Sequence, residues 1–248
     1  MKLSGWILTV ALSLLGVAQA EEVQVAVAAN FTAPMQKIAA AFERETGHKA
    51  LLSFGATGKF YAQVRNGAPF AVLLSADDET PARLISEGLA VPGSAFTYAI
   101  GQLALWSAQA GVVDTQGAVL NTPLPGKLAL ADPKLAPYGA AAMQVLVQRG
   151  LADKLRPQLV MGENMGQTFQ FIQTGNATLG FVALSQIMVD GQISTGSVWR
   201  VPAHLHDPLR QDAVLLKPGE HNPAARALLD YLRGEASRRI IRAYGYQF

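Results

Sequence analysis

The feature that most constrains the fold of this chain is an alternation of strand-like and helix-like segments over its first hundred residues. Val23–Ala28 alternates in hydropathy as strands do, and apolar residues then recur at helical spacing over 35–42. Buried strands are predicted at 50–54 and 70–74, each followed by a helix. A β-α-β-α-β-α order requires a parallel sheet with helices on its faces. Ligands of such sheets bind at the carboxyl ends of the strands, beside the helix starts.

The second half of the chain continues the mixture of strands and helices, without an internal repeat or a flexible linker. Strands are predicted at Tyr98–Trp106, 128–131, 178–182, 197–201 and 213–216. Helices are predicted after "ADPKLAPYG" and "GENMGQT", and Asn222-Pro223 is typical of a helix start. We therefore predict an α/β protein of two lobes, each a mostly parallel sheet flanked by helices, joined by crossing strands.

The amino-terminal segment is predicted to be a cleaved export signal. Lys2 gives a positive start, residues 6–17 are almost continuously apolar, and Ala18-Gln19-Ala20 offers small residues for cleavage. The apolar run is too short to span a membrane. We expect cleavage after Ala20, so that the mature chain begins at Glu21.

Composition argues against several classes of protein. The chain has no cysteine, which rules out disulfides and thiolate chemistry. Without Lys2, 19 basic residues stand against 18 acidic ones, a balance that gives no argument for nucleic-acid binding. His204 and His206 can share a strand face, but no carboxylate-rich neighbourhood supports a zinc site. We predict a structural or solvent-exposed role for both.

The stretch "SFGATGKF", Ser53–Phe60, looks at first like a phosphate-binding loop. A P-loop needs G-x-x-x-x-G-K-[ST], but Gly58 is only three residues after Gly55, and Phe60 stands where the magnesium-binding hydroxyl belongs. A nucleotide is therefore not expected. The stretch still predicts a strand, a tight turn and a helix start, which suits an anion. A plain turn with Lys59 in solvent is the alternative.

Four predicted strand-to-helix junctions carry small or polar residues, two in each half of the chain. They are Asn30-Phe31-Thr32, in which Asn30 and Thr32 are helix-cap candidates, Gly55–Gly58, Pro137-Tyr138-Gly139 and Asn164–Gln167. If the halves face each other, four helix amino termini can point into one cleft. Lys59 and Glu163 are the only charged residues nearby, and each can point outward. Neutral donors suit a fully ionised oxyanion and disfavour a protonated one, whose proton needs an acceptor.

Signals for catalysis are weak, so we expect no enzyme. The motif G-x-S-x-G is absent, and the adjacent carboxylates of Asp77 and Asp78 would point to opposite faces of a strand. We predict that one of them caps the following helix. An organic-acid receptor would usually present an arginine fork, and Arg65 lies too late in its short helix for that role. An exported hydrolase is the alternative from another class.

The chain resembles the periplasmic molybdate-binding proteins, which are solute receptors of molybdate ABC importers. The resemblance covers essentially the whole mature chain and is carried by "VAVAANFTAPMQKIAAAFERETGHK", "SFGATGKFYAQVRNGAPFAVLLSADDE", "ALADPKLAPYG", "TLGFVALSQI" and "LLDYLRGEASRRIIRAYGY". It implies a two-lobed, type II periplasmic binding protein that closes around molybdate or tungstate. We accordingly place the signal peptide at 1–20, lobe 1 at 21–98 plus 214–248 and lobe 2 at 99–213.

The resemblance also implies the site. Family members bind the oxyanion only by hydrogen bonds, from hydroxyls and backbone amides of both lobes. Here the contacts fall on Asn30, with Ala29 beside it, and Thr57 in lobe 1, and on Tyr138 and Met165 in lobe 2. No cofactor and no direct metal ligand are implied. The implied partners are the anion and the membrane permease of an importer, with the receptor itself a periplasmic monomer.

Two departures from the family pattern bear on the site. Many members have serine where this chain has Asn30 and Thr57, which exchanges one donor for another. Many also have a tyrosine that reaches the anion where this chain has Ala183, so one donor is missing. We hypothesise that the Tyr138 hydroxyl replaces it. A receptor for another anion, such as sulfate, phosphate or chromate, is the alternative. Selection of molybdate and tungstate over sulfate would come from cavity size, since charge and shape are shared.

Overall fold

The computed structural model describes residues 20–193 and 195–248, so the predicted signal peptide lies outside the described residues apart from Ala20. The described chain forms two five-stranded sheets flanked by helices, with one additional two-stranded hairpin. We call the first sheet and its helices lobe 1, and the second sheet and its helices lobe 2. Within this part of the chain, no helix is both long and apolar enough to cross a membrane.

Lobe 1 is built from both ends of the described chain, with elements numbered along the whole sequence. Its strands are β1 (Glu22–Ala28), β2 (Lys49–Gly55), β3 (Val72–Leu74), β4 (Phe96–Gly101) and β12 (Leu209–Leu215). Its helices are α1 (Thr32–Thr46), α2 (Thr57–Arg65), α3 (Glu79–Ser86), α8 (Pro223–Arg233) and α9 (Glu235–Ala243). The strands lie in the order β2-β1-β3-β12-β4, in which β12 runs antiparallel to both neighbours.

Lobe 2 is built from the middle of the chain. Its sheet strands are β5 (Leu103–Ser107), β6 (Leu128–Ala131), β7 (Leu159–Gly162), β8 (Leu179–Ala183) and β11 (Ser197–Arg200), and its hairpin strands are β9 (Met188–Val189) and β10 (Gln192–Ile193). Its helices are α4 (Pro137–Gln148), α5 (Ala152–Leu155), α6 (Met165–Gln173) and α7 (Leu184–Ile187). The sheet order is β11-β5-β8-β6-β7, with β5 antiparallel to β11 and β8.

The two-lobed α/β architecture is confirmed, but each sheet is mixed rather than mostly parallel. Only β2-β1-β3 in lobe 1 and β8-β6-β7 in lobe 2 run parallel. The antiparallel pairs involve β12 in lobe 1 and β5 in lobe 2, which are the strands at which the chain enters each lobe from the other. Parallel pairing places strand ends and helix starts at one edge of each sheet, where the site lies.

The chain crosses between the lobes at Gln102 and again over residues 201–208. β4 and β5 belong to different sheets although only Gln102 separates them, so the single strand predicted over Tyr98–Trp106 is wrong. Both segments are apolar, so the hydropathy pattern cannot show that the chain passes from one sheet to the other between them. The predicted lobe boundaries, 98/99 and 213/214, fall inside β4 and β12, which belong wholly to the sheet of lobe 1.

Aromatic side chains pack against one another at the junction between β1 and α1. Phe31 is fully buried and packs edge-on against Tyr98 and Tyr246, with ring centroids 4.8 Å and 5.3 Å apart. Such edge-on pairs hold their rings in defined orientations. The junction thus rests on rings from β4 and from the carboxyl-terminal segment. That segment follows α9. At the start of α8 the predicted cap is confirmed, because Asn222 Oδ1 accepts the Ala225 N–H at 2.9 Å.

Candidate functional site

All four predicted junctions meet in one small pocket between the lobes. It holds about 190 Å³ of space free of protein atoms, part of it open to solvent, and is lined by Ala28, Ala29, Asn30, Gly55, Ala56, Thr57, Ala76, Ala136, Pro137, Tyr138 and Met165. The five residues implied by the family resemblance are all among them. The lining is neutral throughout, and it draws on both sheets. The sequence therefore predicted correctly that these junctions converge on one cleft.

Three helices begin at the pocket wall. Thr57 is the first residue of α2, Tyr138 the second of α4 and Met165 the first of α6. The first N–H groups of a helix have no acceptor within the helix, and the helix dipole adds positive partial charge there. In α6 the Asn164 side chain accepts the Gln167 N–H at 3.0 Å, which fixes the start of the helix at the pocket. The arrangement presents backbone donors to an anion from both lobes.

The Thr57 hydroxyl is held at the wall by its neighbours. It accepts the Ala76 N–H at 3.0 Å and lies 3.5 Å from the Ser75 hydroxyl, and Thr57 is 2% exposed. The Ser75 hydroxyl in turn donates to Asp77 Oδ1 at 2.8 Å. Since the hydrogen of Ser75 is donated to Asp77, Ser75 can only accept from Thr57, and this 3.5 Å contact is at the outer limit of a hydrogen bond. The Thr57 hydrogen is therefore at most weakly engaged in the protein.

Asn30 is not a helix cap, which corrects the prediction made for it. Its side-chain nitrogen donates to Gln211 Oε1 at 2.8 Å and to the Tyr246 hydroxyl at 3.1 Å. Thr32 also does not cap α1 in the predicted sense, since its hydroxyl donates back to the Ala29 carbonyl at 2.8 Å. Both hydrogens of the Asn30 side-chain amide are engaged, so these two hydrogen bonds hold the side chain in place.

A set of buried side chains behind the pocket forms what we call the buried polar network. Its members are Asn30, Tyr98, Tyr138, Ser185, Gln211 and Tyr246. Gln211 Nε2 donates to the Tyr138 hydroxyl at 3.0 Å, and the Tyr98 hydroxyl lies 3.0 Å from Gln211 Oε1. Ser185 and Tyr246 both donate to the Asn30 carbonyl, at 2.8 Å and 2.9 Å. The network therefore joins lobe 1 to Tyr138 and Ser185 of lobe 2.

Sequence reasoning missed Gln211, Ser185 and Tyr246. A signal was present for Gln211, because the strand LRQDAVL places Leu209, Gln211 and Ala213 on its inward face. A glutamine at an inward position needs hydrogen-bond partners, and those partners are where a polar site is expected. Tyr246 and Ser185 carried no comparable signal, since their partners lie far away in sequence.

The tyrosines of the network are neutral donors. Burial raises the pKa of Tyr98 and Tyr138 well above the usual phenol value of about 10. Burial also raises the pKa of Tyr246 to about 12, although hydrogen bonds from Ser185 and Asn30 work against this rise. Neutral hydroxyls behind a neutral pocket leave a bound anion free of like-charge repulsion.

Charged residues lie at the rim rather than in the pocket. Lys59 Nζ of α2 and Glu163 Oε2 of lobe 2 are 2.7 Å apart, so these two residues pair with each other. Next to them, the Gly58 N–H donates to the Leu135 carbonyl of lobe 2 at 2.9 Å. These two contacts hold the lobes together at the mouth of the pocket.

A wider groove beside the pocket is less suited to an anion. It holds about 1300 Å³ of space that is partly open solvent, and it shares Ala76, Ala136 and Pro137 with the pocket. Its charged lining has four carboxylates against three cations, namely Asp77, Asp78, Glu79 and Asp207 against Arg83, Lys134 and Arg210. One of these carboxylates has a structural task, because Asp77 Oδ1 accepts the Thr80 N–H at the start of α3 at 3.0 Å. This confirms the prediction that one member of the aspartate pair caps that helix.

Within the residues that the structure describes, no group of three or more His, Asp or Glu side chains could hold a metal ion. His204 is exposed, and His206 Nδ1 lies 2.7 Å from the Asp207 carbonyl. The polar groups that the structure does bring together at the pocket are hydrogen-bond donors.

Comparisons with known proteins agree with this geometry. The family model for bacterial extracellular solute-binding proteins matches residues 23–247. The molybdate-binding protein ModA of Azotobacter vinelandii is 58% identical over 92% of this chain and 91% of its own length. That of Rhodobacter capsulatus is 52% identical over 92% of this chain and 89% of its own length.

The solved structure of the Azotobacter vinelandii periplasmic molybdate-binding protein superposes with a TM-score of 0.89 at 41% identity, covering 91% of this chain and 99% of that one. A family match over nearly the whole described chain and relatives above half identity lead to one conclusion. The chain belongs to the bacterial extracellular solute-binding proteins, in the family of the molybdate-binding proteins.

Proposed function

We propose that this protein is a periplasmic receptor that binds molybdate, and tungstate with it, and delivers the anion to the permease of an ABC importer. The observation that carries the proposal is the single pocket between the lobes, whose walls are neutral donors and helix starts from both sheets. The relatives above half identity carry the name molybdate-binding protein.

The contacts we propose follow from which donors are not already committed. Both side-chain hydrogens of Asn30 are engaged, so its contact with the anion falls to its backbone N–H, with Ala29 beside it. Thr57 offers a hydroxyl and a backbone N–H at the start of α2. In lobe 2, Tyr138 and Met165 offer backbone N–H groups at the starts of α4 and α6.

A fully ionised dianion fits such a pocket better than a protonated one. The pocket walls present neutral donors, so an anion that keeps a proton loses a hydrogen bond. Because the donors come from both lobes, the anion stabilises the closed arrangement, and a permease can sense closure. Choice among dianions of the same charge and shape then depends on cavity size.

The hypothesis that the Tyr138 hydroxyl replaces the donor missing at Ala183 stays part of the proposal. The hydroxyl is fully buried, accepts a hydrogen bond from Gln211 and has the Tyr246 hydroxyl as a second partner, so its hydrogen has to leave Tyr246 to be donated to the anion. Ala183 is also fully buried, at the end of β8. If Tyr138→Phe binds molybdate as tightly as the parent protein, the compensation hypothesis is wrong.

The remaining parts of the proposal concern context. We infer export to the periplasm with cleavage after Ala20, a monomer without a cofactor, and no catalysis. We propose two lobes divided close to the predicted boundaries of 98/99 and 213/214, moved so that all of β4 and β12 belongs to lobe 1.

The test is calorimetric titration of the purified protein with molybdate, tungstate, sulfate and phosphate. Tight one-to-one binding of the first two with little heat from the others is expected. Binding of sulfate or phosphate with silence from molybdate and tungstate would show that the receptor serves another tetrahedral anion. Turnover of a chromogenic ester would support the hydrolase alternative.

A further inference from the structure

Gln211 occupies the crossing between the lobes and reaches pocket residues on both sides. It is fully buried on β12, where its Oε1 accepts the Asn30 amide at 2.8 Å and its Nε2 donates to the Tyr138 hydroxyl at 3.0 Å. Asn30 and Tyr138 line the same pocket from opposite lobes. A buried amide is stable only when its hydrogen bonds are made, so the two contacts constrain each other.

The backbone opposite Gln211 is irregular. The pairing of β12 with β4 shifts register between Gln211 and Asp212, and the residue left without a partner is Tyr98 of β4. Bulges of this kind bend a strand and re-aim its side chains, and they are frequent beside functional sites. β4 leaves lobe 1 at Gly101, which pairs with Leu209, so the shift begins two residues from the crossing.

Gly101 leaves the space in which Gln211 and Tyr138 meet. A Cβ at this position would overlap the Tyr138 hydroxyl and lie 2.6 Å from Gln211 Nε2. Even an alanine therefore has to displace one of the two partners. Gly101, where the chain leaves lobe 1, thus provides the space in which Gln211, near the point where the chain returns, donates its hydrogen bond to Tyr138 of lobe 2.

From these contacts we propose that Gln211 is a positioning residue for anion binding. It links Asn30 of lobe 1 to Tyr138 of lobe 2 and so ties the placement of both pocket residues to closure of the lobes. The inference rests on the proposed function, because Asn30 and Tyr138 are its proposed anion contacts. Gln211 itself does not line the pocket and does not touch the anion.

The test compares Gln211→Met with Gln102→Met. Gln102 lies at the same crossing, but its Nε2 donates to the Gly245 carbonyl at 3.0 Å and not to a pocket residue. Molybdate affinity is measured by calorimetry and dissociation by stopped-flow fluorescence. We expect Gln211→Met to weaken binding about tenfold, the size of the one buried hydrogen bond that Gln211 makes to lobe 2, mainly through faster dissociation. Gln102→Met is expected to stay within about twofold of the parent.

A double-mutant cycle with Tyr138→Phe supplies a readout that general loss of stability does not move. If Gln211 acts through Tyr138, the losses of affinity in Gln211→Met and Tyr138→Phe are not additive. Additive losses, an unchanged dissociation rate in Gln211→Met, or an equal loss in Gln102→Met would overturn the inference.

Gly101→Ala reaches the same contact if Gln211→Met does not fold, and it is expected to weaken binding in the same way. Parent affinity in a folded Gly101→Ala protein would overturn the inference. A parent protein that binds none of the four anions would overturn the proposed function as well. A parent that binds molybdate while Gln211→Met binds it equally well would overturn this inference alone.

Discussion

Lys59 Nζ and Glu163 Oε2 lie 2.7 Å apart across the mouth of the pocket, one on α2 of lobe 1 and the other just before α6 of lobe 2. Their side chains are 41% and 62% exposed, so the pair contributes little to the stability of either lobe. It is formed only when the lobes are in contact. The pair therefore stabilises the closed arrangement of the lobes rather than the fold of either lobe.

We predict that Glu163→Gln speeds the dissociation of molybdate about threefold while leaving the melting temperature of the anion-free protein unchanged. The reason is that an interaction made only in the closed form is lost. If Lys59 instead served only as a positive charge for the anion, removing its carboxylate partner would strengthen binding. Stopped-flow measurement of the dissociation rate and calorimetric measurement of the affinity distinguish the expected weakening from this strengthening.

The control for this prediction is the Arg156–Asp153 pair. It has the same 2.7 Å separation but lies within one segment of lobe 2. Asp153→Asn is expected to leave molybdate dissociation unchanged. The same acceleration in both variants would mean that net charge, rather than closure, sets the rate.

Gly58→Ala is predicted to have opposite effects on binding and on stability. A Cβ at Gly58 would lie 3.2 Å from the Cα and carbonyl oxygen of Leu135 in lobe 2, so the lobes have to part by a few tenths of an ångström. Within α2, alanine is favoured over glycine by up to about 1 kcal/mol. We expect molybdate affinity to fall while the melting temperature of the anion-free protein holds or rises, as measured by calorimetry and thermal unfolding.

Gly234→Ala is the matched control for Gly58→Ala. Its Cβ would be equally close, 3.2 Å from the Tyr231 carbonyl oxygen, but that contact lies within lobe 1. This variant is expected to leave molybdate affinity unchanged. Equal losses of affinity in the two variants would show that crowding in lobe 1, not contact between lobes, is responsible.

Thr57→Ala is predicted to weaken molybdate binding by about tenfold or more and also to lower stability. The substitution removes a hydroxyl from the pocket and leaves the buried Ala76 N–H without its acceptor, at a cost of about 1–3 kcal/mol. Thr57→Ser keeps the hydroxyl and is expected to retain most of the affinity. Calorimetry with molybdate and thermal unfolding measure the two effects separately.

Thr168→Val separates loss of stability from loss of binding. Thr168 is also fully buried, and its hydroxyl donates to the Asn164 carbonyl at 3.0 Å, but it does not line the pocket. We expect it to lower the melting temperature and to leave affinity unchanged. If Thr168→Val weakens molybdate binding as much as Thr57→Ala, the hydroxyl of Thr57 is not a ligand contact.

The parts of the site that sequence could predict are those encoded locally. Short turns such as Gly55–Gly58 mark where a strand ends and a helix begins, and parallel pairing then places those ends at one edge of a sheet. That reasoning located the junctions at which α2 and α6 begin. It did not find Ala28, Ala76 or Ala136 of the pocket lining, and the five candidate contacts came from the family resemblance.

The parts that sequence could not predict depend on contacts between distant segments. Asn30 looked like a helix cap, and its real partners, Gln211 and Tyr246, are 181 and 216 residues away. Lys59 and Glu163, either of which could have pointed outward, are separated by 104 residues and pair with each other. Folding of lobe 1 brings Asn30 to its partners, and docking of the lobes brings Lys59 to Glu163. No local sequence pattern records either event.

Asp212, at the register shift of β12, gives a pH-dependent prediction. Its Oδ1 is buried and has no hydrogen-bond partner among the described residues. Burial raises the pKa of this carboxyl, the Thr97 hydrogen bond opposes the rise, and Asp78 adds to it. A carboxyl whose folded pKa is raised stabilises the fold through its protonated form, which is fully present below the unfolded pKa of about 3.9 and is lost as pH rises.

Asp212→Asn should therefore raise the melting temperature at pH 7, on the order of 2 °C, and the gain should vanish toward pH 4. Asp114→Asn is the control of opposite sign, because hydrogen bonds from the backbone N–H groups of Ala118, Gln116 and Val119 lower the pKa of Asp114. Its carboxylate contributes stability above the unfolded pKa, so this variant should melt lower at pH 7 and approach the parent in acid. Thermal unfolding from pH 4 to pH 8 measures both curves, and a loss of stability in Asp212→Asn at pH 7 would show that the charged carboxylate is favourable at the bulge.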